Sequence, residues 1–188
     1  MFEFLKDIKE LEDVESVEKI NKGYSKDEKF KIKLKNKSEY LLLRLSDISL
    51  YEQKKEEYEV ISKFSKLGFE MSKPISFGIC NDEKNVYILL SWIDGVDLSD
   101  ALPKLSKEEQ YLLGRKAGKI LKAIHSLKVE DKNFEDKLKI KLLDKIEKYE
   151  SSDVRVENDD KFIEYVKRNV DKVCRNYSYL HGDFHPSN

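Results

Sequence analysis

The spacing of apolar residues changes period partway along the chain, and a single type of element cannot absorb both halves. Up to Leu90 the apolar residues alternate with polar ones or run in short blocks, the mark of strands. From Leu113 onward they recur three and four apart, the mark of helices that bury one stripe. Strands followed by helices imply an α+β chain. The expected organisation is a five-stranded antiparallel unit with one main helix over residues 1–92, then a mainly helical unit over 93–188. A chain of 188 residues is long enough to bury a real core.

Phe2, Leu5, Ile8 and Leu11 make a short amphipathic start before a first strand, Val14 to Ile20. The chain then turns through Asn21, Lys22, Gly23, Tyr24 and Ser25. Phe30, Ile32 and Leu34 alternate with Lys31, Lys33 and Lys35, which predicts a half-exposed second strand. A turn at Asn36, Lys37 and Ser38 leads to a third, Tyr40 to Leu45. Pro74 opens a fourth through Ile75, Phe77 and Ile79. The return strand, Val86 to Leu90, is apolar on both faces and should lie inside the sheet. The pattern breaks at Ser91, Trp92, Ile93, Asp94 and Gly95, the expected junction.

Arg44 stands in an otherwise apolar strand, and a charge there calls for a partner. The following helix, expected over Leu50 to Leu67 and closed by Gly68, offers one. Tyr58, Ile61, Phe64 and Leu67 form its inward stripe; Glu52, Glu56, Glu59 and Lys63 lie outside. Glu57 leans inward, because Ile61 is its i+4 neighbour and Phe64 its i+7 neighbour. An ion pair of Arg44 with Glu57 is therefore expected, against the plainer reading of an arginine at a sheet edge. The exposed N–H groups of the Gly23 turn, with the Ser25 hydroxyl, can bind phosphate oxygens, although a hairpin glycine needs no function.

In the second half, Ser106 and Glu109 form an expected capping box. Leu113, Ala117, Ile120, Ile124 and Leu127 predict a central buried helix ending near His125, which reads as a packing residue. Leu138, Leu142, Ile146 and Tyr149 predict another helix, and Phe162, Val166, Val170 and Val173 a third, joined by a charged linker at 151–155.

Composition narrows the partners. Basic and acidic residues nearly balance, for a formal net charge of −1, so no global field draws the chain to nucleic acid or an anionic membrane. No run reaches membrane-spanning length. Cys80 and Cys174 are far apart and in no paired motif, which suggests core thiols in a reducing compartment. A cytoplasmic protein is expected.

The chain closes on His181, Gly182, Asp183, Phe184, His185, Pro186, Ser187 and Asn188. In kinase-type phosphoryl transfer, a loop aspartate accepts the proton of the attacking hydroxyl, and an asparagine five positions later reaches a magnesium ion. This stretch closely resembles the H-G-D-x-H-x-x-N catalytic loop of the aminoglycoside phosphotransferase family, small-molecule kinases of protein-kinase-like fold. The resemblance implies transfer of the γ-phosphoryl group of ATP or GTP, with Mg2+, to a hydroxyl of a small molecule such as an aminoglycoside. It implies Asp183 as base, His181 as a brace of the loop and Asn188 as a magnesium ligand. Gly23, Tyr24 and Ser25 would cover the phosphates, Arg44 would clamp them and Glu57 would orient Arg44. Ser91, Trp92 and Ile93 would form the hinge that meets the nucleobase. The family's further magnesium-binding aspartate follows the loop, so the chain ending at Asn188 is expected to be inactive alone. Two other readings stay open: a non-catalytic nucleotide-binding or interaction module, and a metal-dependent hydrolase using His181, Asp183 and His185.

Overall fold

The computed structural model describes residues 3–23, 25–130, 133–172 and 177–185. Two 3-10 turns, Glu3–Asp7 and Lys9–Leu11, lead into a five-stranded antiparallel sheet: β1 (Val14–Ile20), β2 (Glu28–Leu34), β3 (Tyr40–Asp47), β4 (Pro74–Cys80) and β5 (Asn85–Ser91). The spatial order β1-β2-β3-β5-β4 places β5 between two neighbours, as its two apolar faces demand. Val86 through Leu90 are all buried.

Residues directly opposite on neighbouring strands share a face. Phe30 pairs with Leu43 and Leu43 with Leu89, and these side chains build the main core. Leu5, Ile8 and Leu11 close over that face. Each such burial stabilises by about 1.5–3 kcal/mol, so the N-terminal turns are part of the core. On the opposite face Lys29 pairs with Arg44 and Arg44 with Ile88. The alternation of β2 thus aims Lys29, Lys31 and Lys33 away from the main core.

Helix α1 (Tyr51–Phe64) packs on this second face, where the Tyr51 and Tyr58 rings lie 5.4 and 5.5 Å from Phe77. It is shorter than the expected Leu50–Leu67 because both ends tighten into 3-10 turns, Ile48–Leu50 and Ser65–Leu67. Asp47 caps the first by accepting from the Ser49 N–H at 2.9 Å. Glu52, Glu56, Glu59 and Lys63 are exposed, as the helical spacing requires.

The chain separates into two compact units, one reaching Gln110 and including His185, the other Tyr111–Phe184. After the short α2 (Leu98–Ala101) comes α3 (Lys107–Ser126), opened by the capping box. Ser106 N–H donates to Glu109 Oε2 at 2.7 Å, and Glu109 N–H donates to Ser106 Oγ at 3.3 Å. The stripe of Leu113, Ala117, Ile120 and Ile124 is present, but of α3 only Ile124 is buried among the described residues. In α4 (Phe134–Glu150), Leu138, Leu142, Ile146 and Tyr149 form a half-buried stripe.

Helix α5 (Asp160–Asn169) corrects one expectation. Phe162 is 72% exposed, whereas Ile163 and Val170 are buried. Residues 163 and 170 are seven apart and nearly eclipse, drifting about 20° on an α-helix. Residues 162 and 170 are eight apart, which puts them about 80° from one another. Val173 lies outside the described residues.

Beyond α3, Lys128 and Ser178 form an antiparallel bridge: Val129 N–H donates to Tyr177 O at 3.0 Å and Tyr179 N–H to Leu127 O at 3.1 Å. The pairing anchors the segment that feeds the terminal loop. Cys80 is buried, and burial pushes its thiol up to about 11. Cys174 lies outside the described residues. Among the described residues, no helix is long and apolar enough to cross a membrane.

Candidate functional site

Arg44 and Glu57 meet, as strand and helix spacing predict, but within a larger cluster. The Arg44 Nη1 donates to Glu57 Oε1. Its Nε donates to Asp27 Oδ2 at 3.0 Å, and Nη2 donates to the same oxygen. Lys54 Nζ donates to Asp27 Oδ2 and to Glu57 Oε2, each at 2.9 Å. Ser46 Oγ donates to Asp27 Oδ1 at 2.8 Å. Two cations and two carboxylates therefore form a closed, neutral ring on the α1 face of the sheet.

Burial makes this ring consequential. The Asp27 side chain is 4% exposed, Lys54 7%, Arg44 18% and Glu57 31%. Burial by itself would raise the Asp27 carboxyl. Hydrogen bonds from Lys54 and Ser46 and the Arg44 charge outweigh it, holding the group well below the usual carboxylate range. Desolvation likewise pulls Arg44 down, and the charges of Glu57 and Asp27 more than reverse it, so it stays a cation.

Asp27, Lys54 and Ser46 escaped the sequence reading. Lys54 was legible: Tyr58 is its i+4 neighbour and Ile61 its i+7 neighbour, the spacing that turns Glu57 inward. Ser46 was legible in part, two residues beyond Arg44 on the same face of β3. Asp27 had no local signal, since nothing in the polar run of Ser25, Lys26, Asp27 and Glu28 marks one carboxylate over the other.

The turn before β2 runs straight into this ring. Gly23 has φ +92, a conformation that L side chains rarely adopt. Lys29 Nζ donates to Lys22 O at 3.1 Å across the turn, and Lys22 pairs with Asp97. Ser25 Oγ accepts from Asp27 N–H at 3.1 Å, which leaves its own hydroxyl proton to donate. Tyr24 lies outside the described residues.

At the end of β5, Ser91 N–H donates to Lys73 O at 2.9 Å and Trp92 N–H to Tyr40 O at 3.1 Å. Two of the three N–H groups in the expected hinge thus serve the sheet, and Ile93 follows as the exposed residue. Trp92 Nε1 donates to Asp94 Oδ1 at 2.9 Å. Lys31 Nζ sits 4.2 Å from the Tyr40 ring and 4.6 Å from the Trp92 ring, a cation between two aromatic faces.

Gly23, Ser25, Arg44, Glu57 and Ser91 to Ile93 belong to the first unit; His181 and Asp183 belong to the second. In the terminal loop Gly182 has φ +85, and this left-handed step precedes an exposed Asp183. The His181 ring packs edge-on against Phe184 at 5.2 Å. Asn188, the expected magnesium ligand, lies outside the described residues. Among the described residues no group of three or more His, Cys, Asp or Glu is placed to hold a metal ion, so His181, Asp183 and His185 do not form one.

Comparison with curated proteins found no match. Among solved structures the chain is similar to a spectinomycin phosphotransferase, APH(9)-Ia, determined in complex with ADP and spectinomycin. The two share 15% identity at a TM-score of 0.48 over 94% of this chain, which spans 60% of that enzyme. The phosphotransferase enzyme family (APH) matches residues 16–188, nearly the whole chain. The match covers far more than half of the chain, which therefore belongs to the phosphotransferase enzyme family, and its five-stranded antiparallel sheet and helices make an α+β fold.

Proposed function

We propose that the chain carries the nucleotide-binding unit and catalytic loop of a small-molecule kinase, which moves the γ-phosphoryl group of ATP or GTP to a hydroxyl. The observation that carries this reading is Arg44 held by Glu57 across the sheet–helix junction, beside the Gly23 turn. Phosphoryl transfer depends chiefly on positioning and charge stabilisation, and a braced guanidinium supplies both. Arg44 clamps phosphate oxygens through N–H groups that the carboxylates leave unused. The backbone of Gly23 and Tyr24 and the Ser25 hydroxyl cover the phosphates. The hinge at Ser91, Trp92 and Ile93 meets the base, chiefly through the Ile93 backbone, with Trp92 beside it. The functional boundary falls between Trp92 and Ile93, just beyond β5.

In the second unit Asp183 accepts the proton of the attacking hydroxyl, and His181, seated on Phe184, braces the loop. Magnesium, when bound, would neutralise phosphate charge, and Asn188 would hold it through the hard oxygen such an ion prefers. The acceptor class is an aminoglycoside or related hydroxyl-bearing antibiotic. The test is radiolabel transfer from the γ-phosphate of ATP and GTP to a panel of aminoglycosides and other small alcohols. Magnesium-dependent labelling abolished by Asp183→Asn supports the kinase reading and overturns the expectation that the chain is inactive alone; labelling that persists in that variant contradicts the base assignment.

A further inference from the structure

Asp27 and Lys54 complete the ring around Arg44, yet neither has a role in the reaction as described above. Arg44 spends its Nε and one N–H on each terminal nitrogen on Asp27 and Glu57. A guanidinium carries five N–H groups, so both terminal nitrogens keep one for a phosphate. Charge decides whether a phosphate would approach. Arg44 facing Asp27 and Glu57 alone would sit in a net −1 site, which repels a triphosphate. Lys54 bridges both carboxylates and returns the cluster to neutrality. Asp27 meanwhile grips the Arg44 guanidinium at two nitrogens, while its own N–H is held by Ser25 in the turn.

We infer that Asp27 and Lys54 are positioning residues for the nucleotide phosphates. Asp27 fixes the plane of Arg44 and ties it to the Gly23 turn, and Lys54 cancels the carboxylate that this requires. The inference rests on the nucleotide-binding reading above and adds residues that the Arg44–Glu57 pair alone does not call for. Both act through Arg44 and not by touching the reacting atoms.

The experiment is calorimetric titration of the 188-residue chain with magnesium ATP, magnesium GTP and the corresponding nucleosides. Lys54→Met should weaken triphosphate binding at least tenfold and leave nucleoside binding within about twofold, a split that loss of fold would not give. Lys54→Arg, which returns the charge, should restore most of the affinity. The double variant Lys54→Met/Asp27→Asn is again neutral, and its side-chain amide still offers Arg44 an oxygen, so it should recover to within about fivefold of wild type. If Lys54→Met alone does not fold, Lys54→Gln, which removes the same charge, takes its place with the same expectation. A folded double variant that binds more than tenfold weaker overturns the charge-balance inference, as does unchanged binding in Lys54→Met. Failure of the wild-type chain to bind either triphosphate overturns the nucleotide reading itself, and this inference with it.

Discussion

Asp27 and Lys54 lie 27 positions apart, yet the lysine Nζ sits 2.8 and 2.9 Å from the two carboxylate oxygens, with 4% and 7% of the side chains exposed. The contact joins the end of the Gly23 turn to the inward face of α1. It makes Arg44 one member of a buried network, where an isolated ion pair with Glu57 was expected. Buried networks of this kind are strongly coupled, because removing one charge strands another in a medium that solvates it poorly.

Coupling should therefore be strongest where burial is deepest. In double-mutant cycles read by urea unfolding, Arg44→Ala should couple to Asp27→Ala by about 1–3 kcal/mol and less to Glu57→Ala. Glu56→Ala, on the exposed side of α1, should show none. Equal coupling to Glu56 and Asp27 would contradict the arrangement.

Asp27 also predicts a pH dependence. Its folded pKa is depressed, so the unfolded chain binds its proton first, and the stability it contributes is present above the ordinary carboxylate value. That contribution is lost as pH falls below about 4. The stability gap between wild type and Asp27→Asn should be full at pH 6 and shrink progressively toward pH 3 in urea melts. A gap that widens on acidification would reverse the sign of the proposed stabilisation.

Gly23→Ala isolates the turn. An added Cβ would lie 2.8 Å from Lys29 Nζ, the movable end of a flexible chain, so the cost comes from φ +92 more than from crowding. A loss of about 1–2 kcal/mol in stability is expected, with weaker binding of triphosphate than of nucleoside. Wild-type stability measured by thermal unfolding would show that the turn tolerates a side chain.

The fold was legible where one local rule governed it. Val14 to Ile20 was read to its ends, and the central place of β5 followed from its two apolar faces. Glu57 was found because helical spacing turns it inward. Lys54 satisfies the same spacing and is buried, but a lysine on a helix ordinarily marks an outer face. Phe162 was misplaced because its bulk outweighed the seven-residue repeat of Ile163 and Val170. Asp27 lies beyond local rules altogether, since only the folded sheet brings that loop carboxylate to the half-buried Arg44 and the buried Lys54 on other elements. The hinge was found as a break in pattern. Which of its N–H groups are taken by the sheet depends on partners at Tyr40 and Lys73, far away in sequence.

The most direct test of the nucleotide-binding account is an amide-resolved NMR titration of the chain with magnesium ATP and magnesium GTP. Trp92 is the only tryptophan, so its indole N–H reports the hinge without ambiguity. The account predicts saturable shifts at Gly23, Ser25, Arg44, Ile93 and the Trp92 indole, with Leu5, Ile8 and Leu11 on the opposite face of the sheet unmoved. Millimolar nucleotide that leaves the first group unshifted, or that moves the N-terminal turns instead, would contradict it.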